Sequence, residues 1–101
     1  MMAKPRITFA LERTKTGELG ELQVYLNPEG RELLIKELAG LDERWDHIHL
    51  QDQNWTIDVP LQTQAYVPDR EEIIDSVKIL FRPDEWDREH FPHVLSRDEE
   101  Q

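Results

Sequence analysis

The chain lacks cysteine entirely and has only four glycines among its 101 residues. Without cysteine, a disulfide framework, a thiolate metal site and a cysteine nucleophile are all unavailable. So few glycines argue against a glycine-rich phosphate-binding loop, and neither a G-x-S-x-G nor an H-E-x-x-H motif is present. These absences predict a non-enzymatic protein that needs no cofactor.

Long hydrophobic runs are also missing. No stretch approaches the roughly 20 apolar residues that span a bilayer. The short apolar segment near the N-terminus is ended by Glu12 and Arg13, so it does not resemble a signal peptide. The length is that of one domain with one core. We therefore predict a single soluble, cytoplasmic domain.

Positive charge is scarce. The chain has 22 acidic against 12 basic residues, a net charge of −10. Such a field repels phosphate backbones and anionic membranes, and it accelerates encounter with basic proteins. This predicts a basic protein partner rather than a nucleic acid or a membrane, although acidity also serves solubility alone.

Apolar residues alternate with polar ones in several short stretches, the pattern of half-buried strands. These stretches predict strands at residues 7–12, 22–26, 45–50, 55–61 and 77–81. Pro60 favours an edge position for the fourth strand or an early end to it. Residues 62–70 are predicted to form a loop, and a short helical turn is an open alternative for residues 69–75.

One helix is predicted between the second and third strands. Asn27 is a favourable N-cap, Pro28 suits the first helical position, and Gly40 suits the C-terminal end. Leucines recur at positions i, i+4 and i+7 of this helix: Leu34, Leu38 and Leu41. The prediction is an α+β domain in the order ββαβββ, with a four- to five-stranded, mostly antiparallel sheet and one amphipathic helix on one face.

The composition changes after Pro83. Residues 84–101 contain seven acids and two arginines. We predict an α+β domain over residues 1–83, followed by an acidic C-terminal segment over residues 84–101 that is partly docked or disordered. Trp86 and Phe91 are the candidates for docking, and the last six residues are expected to fray.

His47 and His49 form an H-x-H pair on the third strand, flanked by Asp46 and Asp52. Residues i and i+2 of a strand project to the same side, a spacing used by strand-borne metal sites. Further ligands could come from two histidines near the C-terminus, His90 and His93. The alternative is a polar sheet face that carries two histidines and no metal.

The three tryptophans differ in their surroundings. Trp55 begins an alternating strand and is predicted to lie in the core. Trp45 and Trp86 are flanked by acids, and an aromatic ring among acids is a suitable anchor for a basic partner. Either ring could instead pack at the sheet margin. The candidate partner-binding residues are Trp45, Asp46, His47, His49, Asp52, Asp84, Glu85, Trp86 and Asp87.

Two short stretches, NPEG at residues 27–30 and DHIHL at residues 46–50, resemble a known family. With the preceding Tyr25 and Leu26, they resemble family 32 of the immunity proteins of bacterial polymorphic toxin systems, over about residues 20–55. The resemblance implies a small cytoplasmic protein that binds and blocks a cognate toxin, often a nuclease. It also implies that an acidic, aromatic surface imitates the nucleic acid that a basic toxin site binds.

Two other functions are compatible with the sequence. One is a small metal-binding domain or metal-dependent enzyme that uses His47 and His49 together with a carboxylate. The other is a homodimer in which an exposed sheet face pairs with its copy.

Overall fold

The fold, in a computed structural model that describes residues 3–52 and 59–95, combines strands and helices. The α+β class predicted from the sequence is confirmed. Its elements are β1 (Ile7–Arg13), β2 (Leu19–Leu26), α1 (Pro28–Ala39), β3 (His47–Asp52), β4 (Val59–Leu61), β5 (Glu71–Ile74), β6 (Ser76–Leu80) and α2 (Asp84–His90). A 3-10 turn at Pro92–Val94 follows α2.

The described strands form two three-stranded sheets. The first has the order β2-β1-β5 and is antiparallel throughout. The second has the order β4-β3-β6, with β4 parallel and β6 antiparallel to β3. Only Asp75 separates β5 from β6, so the chain passes from one sheet to the other within one residue. The carbonyl of Asp75 accepts a hydrogen bond of 3.2 Å from the amide of Asp52.

This architecture matches the predicted single sheet of four to five strands and single helix only approximately. Residues 71–74 form a strand in place of the helical turn considered for that region. The strand was not predicted because it begins with Glu71 and Glu72. Acidic residues are depleted in strands and are favourable in the first turn of a helix. Helix α2 lies in the acidic segment, for which no helix was predicted. Residues 53–58, with Trp55 and most of the predicted fourth strand, lie outside the described residues, as do residues 96–101.

The β1–β2 hairpin contains a tight turn, in which the amide of Gly17 donates to the carbonyl of Thr14 at 2.9 Å, and an irregularity next to it. Gly17 has a φ of 86°, which a glycine adopts without strain. The strand register shifts between Leu11 and Arg13. A Cβ atom on Gly20 would lie 2.8 Å from the carbonyl oxygen of Glu12. Gly20 therefore permits the close approach of the two backbones at the bulge.

Helix α1 begins as predicted, and its start is bound to the segment before β1. The side-chain oxygen of Asn27 accepts hydrogen bonds from the amides of Gly30 at 2.7 Å and Arg6 at 2.8 Å. Its side-chain nitrogen donates to the carbonyl of Lys4 at 2.9 Å. A Cβ atom on Gly30 would lie 2.5 Å from the Arg6 carbonyl oxygen. Part of the NPEG stretch thus has a structural role in this chain.

One core joins the two sheets and the helix. Its buried members are Ile7, Phe9, Ile48, Leu50, Val59 and Leu61. Leu33 and Leu34 of α1, and Leu41 just after the helix, are partly buried and pack against them. The alternation predicted for β3 is confirmed, because Ile48 and Leu50 are fully buried. Within the described residues, no helix is long and apolar enough to cross a membrane.

Candidate partner-binding groove

The pairing of β3 with β6 brings together two segments that are far apart in the chain. In the antiparallel register His47 lies opposite Leu80. The residue before β3 and the residue after β6 therefore meet at one end of the sheet. The amide of Phe81 donates a hydrogen bond of 2.7 Å to the carbonyl of Asp46. This register makes Asp46 and the start of α2 neighbours.

Helix α2 starts directly after Pro83 and places an aromatic ring at this end of the sheet. The amide of Trp86 donates to the carbonyl of Pro83 at 3.0 Å. Acids in its first turn are favourable because of the helix dipole; they are Asp84, Glu85 and Asp87. The guanidinium carbon of Arg82 lies 4.2 Å from the centroid of the Trp86 ring, a cation–π contact.

A groove of about 270 Å³ lies between these segments. We call it the acidic groove, and its lining residues are Glu43, Asp46, Phe81, Arg82, Pro83, Glu85, Trp86 and Glu89. Four of them are carboxylates, whereas Arg82 is the one lining residue with a permanent positive charge. The acidic groove is therefore a net negative site with two aromatic rings in its walls.

Asp46 is held in its charged form. Its Oδ1 lies 2.8 Å from Nδ1 of His47, and its Oδ2 lies 3.5 Å from Nη1 of Arg82. The hydrogen bond with His47 lowers the pKa of the Asp46 carboxyl, and the charges of His47 and Arg82 lower it further. The groove thus retains a negative charge at this position under mildly acidic conditions.

The structure brings together part of the predicted site. Asp46, Glu85 and Trp86 line the acidic groove. Trp45 precedes Asp46 and is 59% exposed, so its ring is accessible beside the groove. On α2, Asp84 is exposed and Asp87 is half-buried; neither is a lining residue.

His47 and His49 project to the same side of β3, as the sequence predicted. Their ring centroids are 5.0 Å apart in an edge-on arrangement. Lys78 lies opposite His49 in the strand register. Within residues 3–52 and 59–95, no group of three or more potential metal ligands occurs. The metal site remains a hypothesis from the sequence.

Asp52 lies at the far end of β3 from the acidic groove. The six residues of β3 extend over roughly 17 Å, at about 3.3 Å per residue. Asp52 lines a different, open cavity of about 670 Å³ together with Arg6, Gln62 and Tyr66 among others. The predicted partner-binding residues therefore belong to more than one surface.

Five of the groove residues were not among the predicted site residues: Glu43, Phe81, Arg82, Pro83 and Glu89. Glu43 and Glu89 lie close in sequence to Trp45 and Trp86, and a wider window around each tryptophan could have included them. Phe81 was assigned to a strand for its apolar character. Nothing in the sequence identifies the contact of Arg82 with Trp86, because it depends on the backbone turn at Pro83.

No protein-family model, curated protein or solved structure matches this chain.

Proposed function

We propose that this chain is a non-enzymatic binding protein that neutralises a basic protein partner, as toxin-immunity proteins do, through the acidic groove. The observation that supports the proposal most is the position of Arg82. Its guanidinium stacks on Trp86 and also lies 3.5 Å from Asp46. A site that accommodates one guanidinium between an aromatic ring and a carboxylate has the chemistry to bind an arginine or lysine of a partner.

The negative charge of this region would act on the rate of association, and its aromatic residues would act on the affinity. The net negative groove, within a chain of net charge −10, would steer a basic partner into place and raise the association rate. Trp45 and Phe81 are 59% and 37% exposed, so a partner could bury their rings. Buried aromatic residues carry a large share of the affinity in many interfaces.

The kind of partner follows from this chemistry. A nuclease-type toxin has a basic surface for phosphates, and carboxylates arranged around a ring could occupy that surface. On this proposal the protein acts in the cytoplasm, where it blocks its toxin by covering the substrate site. The resemblance of residues 20–55 to an immunity family supports the same choice of partner.

Charge reversal tests the groove. Glu89 lines the groove in the last turn of α2, where a lysine is compatible with the helix dipole. Glu18, an exposed residue of the β1–β2 link, allows the same change in net charge elsewhere. Against a basic toxin domain, sought first in the product of the adjacent upstream gene, Glu89→Lys should weaken binding by about tenfold or more, as expected for an interfacial charge. Glu18→Lys should leave calorimetric affinity within about twofold, as expected for a charge outside the interface.

Three outcomes would contradict parts of this proposal. Equal affinity of both variants and the parent would show that the groove is not the interface. An equal loss in both variants would show that net charge alone drives binding. A parent protein that does not bind the toxin domain would remove the immunity function.

A further inference from the structure

One face of the β2-β1-β5 sheet is buried in the core at β1, but the same face is exposed at β2. Ile7 and Phe9 of β1 are 0% and 8% exposed. Their partners in the strand register, Leu26 and Val24, are 41% and 44% exposed. Leu22, on the same face of β2, is 57% exposed. The core face of this sheet thus continues on β2 beyond the area that the described residues cover.

The outer edge of β2 is also open. In the described part of the chain, β2 pairs with β1 on one side and with no strand on the other. Natural edge strands are commonly protected by lysine, by proline or by their shortness. Strand β2 has eight residues, LGELQVYL, with neither lysine nor proline. It is a long edge that is able to pair with another strand.

The lack of charge on the apolar face of β2 favours a second copy of the chain as its binding partner. At a net charge of −10, two copies repel each other over most approaches. The exposed side chains of Leu22, Val24 and Leu26 are uncharged. On the other side of β1, Glu72 is paired with Arg13 at 2.8 Å. The one carboxylate of β2 is Glu21, which lies on the opposite face from Leu22, Val24 and Leu26. Two copies can therefore meet through the apolar face of β2 without placing carboxylates in the contact, whereas a strongly basic partner finds no charge on that face.

We propose that β2 pairs with β2 of a second copy, antiparallel about a two-fold axis, so that the two β2-β1-β5 sheets become one six-stranded sheet. An antiparallel two-fold arrangement keeps the apolar faces on the same side. Leu22, Val24 and Leu26 of one copy then contact the same residues of the other. Backbone hydrogen bonds and cross-strand side-chain contacts both contribute to such an interface.

The size of the interface sets the expected affinity. Standard interfaces bury about 800 Å² of each partner. Three or four half-exposed aliphatic side chains and one strand edge bury less, so the dimer should form at micromolar rather than nanomolar concentration. A concentration series is therefore the appropriate measurement.

The test uses the isolated chain without any partner. Sedimentation equilibrium from about 1 μM to about 1 mM should show the mass rising from 12.0 kDa towards twice that value. Leu22→Lys should raise the dimer dissociation constant by about tenfold or more, because it places a charged group in the apolar contact with Leu26 of the copy. Ile35→Lys is the matched control at an exposed apolar residue of α1, and it should leave the dissociation constant unchanged.

A second measurement remains informative if Leu22→Lys proves unstable. The chain has no cysteine, so one nitroxide label can be placed at Val24→Cys or at Ile35→Cys. Paired strands lie about 4.8 Å apart, so the label at residue 24 should show strong dipolar broadening at high concentration. The label at residue 35 should not. A monomer at every concentration, a dimer unaffected by Leu22→Lys, or broadening at residue 35 alone would overturn the proposal.

Discussion

The guanidinium of Arg82 is stacked on the indole of Trp86, with its central carbon 4.2 Å from the ring centroid. The two residues flank the turn at Pro83, so the stack spans the junction between β6 and α2. It joins a sheet to a helix whose N-cap residue makes no side-chain hydrogen bond to the helix. The stack is therefore both a feature of the acidic groove and a link between two elements.

Substitution of Arg82 should measure how much its stack on Trp86 contributes to stability. We expect Arg82→Ala to lower the free energy of unfolding by about 0.5–1 kcal/mol, the usual range for a partly exposed cation–π pair. Arg82→Lys keeps the charge but loses the planar group, so it should lose less. Urea denaturation compares the two variants. If Arg82→Ala unfolds at the same urea concentration as the parent, the stack contributes no stability.

The cap of α1 gives a second prediction. Asn27→Ala removes the bonds to Gly30, Arg6 and Lys4, and we expect a loss at the upper end of the range of about 0.5–2 kcal/mol for a lost N-cap. Asn27→Asp keeps the accepting oxygen and should lose less. Thermal and urea denaturation test the order. An aspartate variant as unstable as the alanine variant would show that the bond to Lys4 is the important one.

Two glycines at the ends of α1 should respond in opposite ways to alanine. A Cβ atom at Gly30 would lie 2.5 Å from the Arg6 carbonyl, so Gly30→Ala should destabilise the protein by about 1–3 kcal/mol, as overpacking does. At Gly40 the nearest atom is 3.6 Å away, an ordinary contact. Gly40→Ala should leave stability unchanged or raise it by up to about 1 kcal/mol. Equal effects at both positions would contradict the steric explanation.

Tyr25 gives a prediction about pH. Its hydroxyl donates a hydrogen bond to the carboxylate of Glu71, and this bond raises the pKa of Tyr25 to about 12. The same bond lowers the pKa of Glu71. In a Tyr66→Phe background, where Tyr25 is the remaining tyrosine, phenolate absorbance should report this raised pKa. Glu71→Gln in that background should bring the Tyr25 pKa back towards 10.

The sign of the effect on stability follows from these pKa shifts. The raised pKa of Tyr25 stabilises the fold below pH 10, and this contribution is lost as pH rises from 10 towards 12. The lowered pKa of Glu71 stabilises the fold above its ordinary value of 4.5, and this contribution is lost as pH falls through the folded pKa. Tyr25→Phe should flatten the stability profile at both ends. A profile as steep as that of the parent would contradict the pairing.

Local patterns predicted several elements well. Strands β1 and β3 and helix α1 were anticipated because alternation, the Asn27 cap and Gly40 act over a few residues. The polar loop at residues 62–70 was also anticipated, since no helix or strand lies there. Strand β5 was missed because acids at residues 71 and 72 lie in a sheet through pairing with β1, a contact some 60 residues away in sequence.

The candidate site was predicted in part for the same reason. Acids around Trp45 and Trp86 pointed to two segments, but their proximity depends on the pairing of His47 with Leu80. Alternation in β2 placed Leu22, Val24 and Leu26 on one face without showing how much of that face is covered. How much of the β2 face is buried depends on where the second sheet and α1 end. No local sequence pattern predicts that.

The sequence by itself determined the α+β class, the helix with its cap, the buried face of β3 and the acidic character of the surface. These depend on residue type and on short-range periodicity. Only the tertiary structure decided the division into two sheets, the acidic groove with Arg82 on Trp86, and the exposed apolar face of β2. Each of these arises from strand pairing between distant residues, and pairing partners are selected by the packing of the whole core rather than by any one segment.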